Sequence, residues 1–179
     1  MEVRTPMTTN VIKAENAAIR EIEEAFAEAG WSDGWAMEDA DVRTAGAPIF
    51  YRNNAPVVAA EARTTVGSDP EKQIDPGQTH YLYLIYNITQ TETKTAGNRP
   101  FYHEVTVALT FYYDDPSLFY EATGESAPTN GFVPFLSELI DELAGGDWAI
   151  SSEGESTVPA TDDGTTYTNR KILFVTKNF

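Results

Sequence analysis

The chain contains no cysteine and only two histidines, His80 and His103. Without thiols it can form neither a disulfide framework nor a structural zinc site of the cysteine type, and thiol catalysis is excluded. No further histidine, cysteine or carboxylate recurs at ligand spacing around either histidine, so we expect no metal site. A chain of 179 residues is nevertheless long enough to bury a hydrophobic core without disulfide bonds or structural metal ions.

Basic residues are also scarce, since 12 lysines and arginines stand against 28 aspartates and glutamates, a net charge of -16. A field of this sign repels phosphate backbones, so we expect no sequence-specific binding of nucleic acid. The repulsion is largely screened in molar salt, where the Debye length is about 3 Å. The composition therefore favours adaptation to a salt-rich cytoplasm, although an ordinary acidic protein is the alternative.

Long hydrophobic runs are missing as well. No apolar segment approaches the roughly 20 residues of a membrane span, and residues 1–6 lack the apolar region of a signal peptide. We therefore expect a protein that is made and kept in the cytoplasm and does not contact a membrane. Residues 1–9 are polar and contain Pro6, which predicts a flexible N-terminal arm in front of a single domain at residues 10–179.

Two segments have the spacing of amphipathic helices. Residues 11–29 place apolar side chains on one face, with Asn10 as a plausible N-cap and Gly30 at the end. In residues 132–143 the apolar side chains follow the i, i+3, i+4, i+7 pattern, and Gly145 and Gly146 close the helix. Trp31 and Trp35 flank a predicted turn, where they pack the helix end against the core or form a sugar platform; we favour packing.

The remaining apolar runs are typical of β-strands. Residues 101–113 alternate between apolar and polar side chains, and residues 81–88 are rich in aromatic and β-branched types. The polar segment 89–100 between them predicts a hairpin with a long exposed tip. Further strands are predicted at residues 48–52, 148–152 and 167–176, with a turn at Asp163-Gly164, whereas residues 56–66 fit a strand or a helix. This order predicts an α+β fold in which two helices pack on one face of a mostly antiparallel β-sheet with a long projecting β-hairpin.

No catalytic motif stands out in this framework. The aspartate pairs, Asp114-Asp115 and Asp162-Asp163, have the sequence of strand ends and turns more than that of a cation site. There is no glycine-rich phosphate loop and no Gly-x-Ser-x-Gly elbow. We therefore expect no enzyme activity, no catalytic, cofactor-binding or metal-binding residues, and no cofactor.

Cations cluster at two places that could meet an acidic neighbour such as another copy of the chain. The first is the hairpin tip and the second is the last predicted strand, taken as an edge of the sheet. The alternatives are a solvated loop at the first place and a chance cluster at the second. The candidate interface residues are Thr93, Lys94, Asn98 and Arg99 in the tip and Arg170, Lys171 and Lys177 in the last strand.

The order of these parts resembles the tail terminator family of long-tailed viruses, also called tail completion or tail-to-head joining proteins. The resemblance rests on Tyr81-Leu-Tyr-Leu-Ile-Tyr-Asn, the loop that reaches Asn98-Arg99-Pro100, the alternating segment His103-Glu-Val-Thr-Val-Ala-Leu-Thr-Phe-Tyr-Tyr-Asp-Asp, and the helix at residues 132–143 that ends in Gly-Gly. It covers residues 10–178 and is one of arrangement more than of residue identity.

The resemblance implies a homo-hexameric ring in the virion, seated on the head-proximal end of the tail tube. Such a ring stops polymerisation of the major tail tube protein and joins the tail to a head-completion or neck protein, while DNA passes through without sequence-specific binding. One alternative is another neck or tail-tube subunit. A second, from a different class, is a small ligand-binding or hydrolytic α+β enzyme with His80, His103 or the aspartate pairs in a pocket.

Overall fold

A computed structural model of the protein describes residues 10–36, 48–54, 82–114, 133–159 and 167–179. In chain order its elements are α1 (Val11–Glu28), β1 (Ser32–Asp33), β2 (Ile49–Arg52), β3 (Leu82–Ala96), β4 (Arg99–Tyr113), α2 (Val133–Gly145), β5 (Ala149–Ser152), β6 (Ser156–Pro159) and β7 (Tyr167–Asn178). The predictions for residues 1–9, residues 56–66, His80, Asp115 and Asp162-Asp163-Gly164 lie outside the described residues.

Helix α1 begins and ends as its sequence predicts. The Asn10 side chain accepts hydrogen bonds from the backbone N–H groups of Ile12 and Lys13, at 2.9 and 3.3 Å, which satisfies donors that have no partner inside the helix. Gly30 has a φ of 80° and lets the chain reverse, so that the Trp31 N–H donates to the Phe26 carbonyl at 2.9 Å. The predicted N-cap at Asn10 and the predicted end of the helix at Gly30 are both confirmed.

The seven strands form one sheet in the order β1-β2-β3-β4-β7-β5, and β6 also pairs with β7. The pairs β3–β4, β4–β7, β5–β7 and β6–β7 are antiparallel, whereas β1–β2 and β2–β3 are parallel. The protein is therefore an α+β protein with a mostly antiparallel sheet. The predicted turn after Trp31 is wrong in part, because Ser32 and Asp33 pair with Ile49 and Phe50 as the short strand β1.

The hydrophobic core lies between the two helices and one face of the sheet. Alternate residues of β3 and β4 are buried on that face, together with the apolar stripe of α1 and with Leu139 and Leu143 of α2. Trp31 belongs to this core, and its indole N–H donates to the Phe135 carbonyl at 3.2 Å. Trp35 does not, since it is 54% exposed and touches only the ring of Tyr51 among the described aromatic residues.

The hairpin predicted between β3 and β4 is present, and its long tip at residues 89–100 consists of paired strands. Both strands continue through residues 89–100 and meet at a turn formed by Gly97 and Asn98, with Ala96 paired to Arg99. A polar strand with solvent on both sides has no apolar alternation to reveal it, but its threonines favour extended backbone. The long tip is therefore a two-stranded ribbon with a minimal turn.

Candidate assembly surface

The distal half of the β3–β4 hairpin extends past the rest of the sheet. Strand β2 pairs with β3 only as far as Tyr86, and β7 pairs with β4 from Glu104 inward. Beyond these points, residues 90–102 have no flanking strand among the described residues, and we call them the arm. At a rise of about 3.3 Å per residue, the ribbon reaches about 20 Å past Glu104.

The end of the arm is a two-residue turn. Gly97 occupies its first central position with a φ of 65°, and Asn98 follows without a positive φ, a pattern that fits a type II′ turn. No atom of the described residues lies within 4 Å of the position that a Cβ on Gly97 would take, so the backbone conformation, and not crowding, requires glycine here.

Two irregularities in the strand register change the course of the arm. The pairing shifts between Ile88 and Gln90, which makes Thr89 an extra residue in β3, and again between Lys94 and Thr95, which makes Phe101 an extra residue in β4. Bulges of this kind bend a ribbon and re-aim side chains. Phe101 is 51% exposed and is one of four large hydrophobic side chains that the described part of the chain leaves exposed.

Side-chain contacts fix the base of the arm. The Thr91 hydroxyl donates to the Glu15 carboxylate of α1 at 2.7 Å, and the Thr93 hydroxyl lies 2.9 Å from Nδ1 of His103. His103 also exchanges two backbone hydrogen bonds with Phe179, each of 2.8 Å. These contacts hold the ribbon against α1 and the end of β7, so its direction from the body is set.

The two cations of the arm differ in their surroundings. The Lys94 ammonium pairs with the Glu92 carboxylate at 2.7 Å and lies 3.9 Å from that of Glu104, and the hydrogen bond with Glu92 is the main cause that raises the pKa of Lys94. Arg99 is exposed beside the turn and has no hydrogen-bond or ion-pair partner in the described part of the chain. Of the two, Arg99 is therefore the cation available to a partner.

The cations of the last strand do not lie on a sheet edge. Strand β7 is flanked by β4 on one side and by β5 and β6 on the other, so the expectation of a basic edge is wrong. Its cations are used within the chain: Arg170 donates to the Ser156 hydroxyl at 3.3 Å, Lys171 donates to the Glu153 carbonyl at 3.1 Å, and Lys177 pairs with the Glu21 carboxylate at 2.6 Å. Their part in an interface stays a prediction.

A second surface feature, which the sequence did not indicate, is a groove of about 610 Å³ between the two helices. It is lined by Glu21, Glu24, Ala25, Glu28, Glu142, Gly145, Gly146, Trp148 and Lys177. Its carboxylates outnumber its one ammonium group by three. Lys177 pairs with Glu21 and lies 6.0 Å from the centre of the Trp148 ring, whereas no described cation pairs with Glu28 or Glu142.

The two described residues that were considered for catalysis, His103 and Asp114, do not line this groove. His103 is 1% exposed at the base of the arm, and its Nε2 has no hydrogen-bond partner among the described residues. Asp114 follows β4, where its carbonyl accepts a hydrogen bond of 3.1 Å from the Asn169 amide. Among the described residues no group of three histidine, cysteine, aspartate or glutamate side chains could hold a metal ion. None of the described helices is long and apolar enough to span a membrane.

Comparison with models of known protein families gives no match, and comparison with curated proteins gives no significant match. Functional inference therefore rests on the geometry of the arm and the groove, together with the resemblance seen in the sequence.

Proposed function

We propose that this protein is a structural virion protein that forms a ring at the head-proximal end of a viral tail tube. In this function it ends polymerisation of the major tail tube protein and offers its opposite face to a head-completion or neck protein. A hexameric ring is the assembly that the resemblance to tail terminators implies, and the host is a salt-loving organism.

The arm is the observation that supports this proposal most directly. The ribbon reaches about 20 Å past its neighbouring strands and its residues 95–101 are all exposed, yet fixed contacts hold it at its base. An exposed ribbon that carries Arg99, which has no partner in the described part of the chain, and the half-exposed Phe101 is suited to contact with another subunit. A subunit that contacts its neighbour through two different surfaces builds a ring when the rotation closes.

The charge of the protein agrees with a channel through which DNA slides. A lumen that bound phosphates tightly would retard the passage of DNA, and a chain with a net charge of -16 has few cations to do so. Binding of one DNA sequence in preference to another plays no part in this function.

Electron microscopy of the purified protein in molar salt tests the proposal. We expect closed single rings, with a mass by light scattering that is a small multiple of 19.7 kDa and equals six chains if the ring is a hexamer. Added to growing tail tubes of the same virus, the protein should stop elongation. Stacked rings or tubes would point to a tail-tube subunit instead, and a strictly monomeric protein would overturn the proposal.

A variant with a shortened arm tests whether the arm is needed for assembly. Replacing residues 95–101 by Asn-Gly ends the ribbon after the Lys94–Tyr102 pair and leaves the contacts of Thr91 and His103 in place. We expect this variant to melt at the temperature of the unchanged monomer, because only exposed residues are removed, but to form no rings. Rings of normal size from the shortened protein would contradict the proposed function of the arm.

A further inference from the structure

We propose that the end of the arm of one subunit docks in the groove between α1 and α2 of a second copy of this chain, with Arg99 paired to Glu28 and Glu142. The inference rests on the proposed function in that it takes the protein to assemble with itself. It adds the surface that receives the arm, which neither the sequence pattern nor the resemblance identifies.

Charge complementarity selects the partner. Residues 93–103 contain Lys94 and Arg99 but no carboxylate, within a chain whose net charge is -16. Because Lys94 is already paired with Glu92, the free positive charge at the end of the arm is that of Arg99. A second copy of the chain repels the first over most of its surface, and a cation can bind only where the carboxylates of that copy lack partners.

The groove offers such carboxylates on two different elements. Glu28 lies in the last turn of α1 and Glu142 in the C-terminal half of α2, and both line the same cavity without a described cation. Glu21, by contrast, is neutralised by Lys177 at 2.6 Å. A guanidinium can donate to two carboxylates at once, whereas an ammonium group acts as a single point charge.

The shape of the groove also suits the end of a ribbon. A volume of about 610 Å³ lies within the range of roughly 300–1,000 Å³ found for binding clefts, and Ala25, Gly145 and Gly146 leave part of its wall free of large side chains. The arm ends in two residues without bulk, Gly97 and Asn98, next to Arg99. Phe101, re-aimed by the bulge, is placed to cover the rim and exclude water from the ion pair.

The arm and the groove are two different surfaces of the chain, so a contact between the arm of one copy and the groove of another is head-to-tail. In a contact of this kind each subunit donates one arm and accepts one, and a rotation that closes gives a ring with no free arm or groove. A closed ring leaves no arm or groove free to recruit a further copy within its plane.

A charge-swap experiment in molar salt tests the inference. Arg99→Glu should weaken self-association at least tenfold, as should the double substitution Glu28→Lys with Glu142→Lys. Combining the three substitutions restores opposite charges on the two surfaces and should recover most of the assembly. Arg52→Glu, an exposed residue at the end of β2 away from the arm, makes the same change in net charge as Arg99→Glu and should have no such effect.

The absence of cysteine from the natural chain allows a second measurement, which reports the distance between two chosen residues instead of the strength of binding. Asn98→Cys and Glu28→Cys are prepared as separate proteins, mixed in equal amounts and oxidised mildly. A disulfide forms only if the two Cα atoms come within about 7 Å, so a crosslinked pair containing one of each protein is expected. Melting curves of each variant confirm that the body of the protein is folded.

The outcomes separate this inference from the proposed function. Unimpaired rings from Arg99→Glu, or loss of assembly that the combined variant does not recover, would overturn the docking of the arm in the groove while leaving the ring itself in place. Recovery by the charge swap and a mixed crosslink, in a protein that fails to stop tube growth, would support the docking and overturn the function at the tail.

Discussion

The hydroxyl of Tyr86 is one of the few polar groups on the core face of the sheet. Tyr86 is fully buried, and its hydroxyl donates a hydrogen bond to the half-buried Glu23 carboxylate of α1. Burial, followed by this bond and the negative charge of Glu23, raises the pKa of Tyr86 well above its usual value. The contact ties α1 to β3 and holds the phenol in its protonated form at pH values where a free tyrosine ionises.

Tyr86→Phe tests this contact at the scale of one residue. At neutral pH we expect a loss of about 1.5 kcal/mol in the free energy of unfolding, since Glu23 loses a hydrogen-bond donor. Above pH 10 the unfolded wild-type chain ionises at this position and the folded one does not, so the wild type loses stability that the variant retains. The difference between the two proteins should therefore shrink as the pH rises past about 10.

Urea denaturation at a series of pH values measures both effects. Tyr102→Phe is the matched control, since Tyr102 lies on the arm, outside the core. A Tyr86→Phe variant whose deficit stays constant from pH 7 to pH 11 would show that the hydroxyl is not held protonated by the fold.

At the scale of an element, the sequence predicted the helices and strands whose apolar residues recur at a fixed spacing. The stripe of α1, the cap at Asn10 and the alternation of β4 are local patterns, and the structure has them where they were predicted. The outer half of the hairpin has no strand pattern of its own, because threonine, glutamate and lysine alternate there without an apolar face. Cross-strand pairing with β4, which is not visible in one segment alone, makes that half a strand.

Helix α2 gives the prediction that belongs to this scale. Leu139 and Leu143 are fully buried against the sheet, which agrees with the spacing of apolar residues in the sequence, while Phe135 is partly buried. Leu139→Ala should lower the free energy of unfolding by about 2–5 kcal/mol, because it removes buried methyl groups and enlarges the cavity of about 210 Å³ that Leu139 lines with Phe111 and Leu173.

Thermal or urea unfolding of the Leu139→Ala variant measures this loss, with Glu138→Ala, an exposed neighbour on the same helix, as the control. A Leu139→Ala variant that keeps its stability but loses assembly would mean that the stripe faces a partner instead of the core.

At the scale of the whole molecule, the groove shows what a linear sequence conceals. Its glutamates come from α1 and α2, and Lys177 comes from the end of β7, so elements more than a hundred residues apart in the chain build one surface. In a chain with 28 acidic residues no spacing marks those that converge. Only the antiparallel pairing of β7 with β4, together with the two helices on one face, brings these carboxylates to one place.

Because these carboxylates converge, we expect the stability of the folded state to depend on ionic strength. At 0.1 M salt the Debye length is about 10 Å, long enough for carboxylates across the groove and along α1 to repel one another, whereas at 1 M it is about 3 Å. We therefore expect the melting temperature to rise with salt from dilute buffer to the molar range. The measurement uses the arm-shortened variant, which is expected not to assemble, so that the melting temperature reports the stability of the single chain.

Glu142→Gln removes a groove carboxylate and should raise the low-salt melting temperature more than Glu153→Gln, an exposed position outside the groove. A melting temperature that stays constant with salt would leave both the repulsion in the groove and the halophilic host without support.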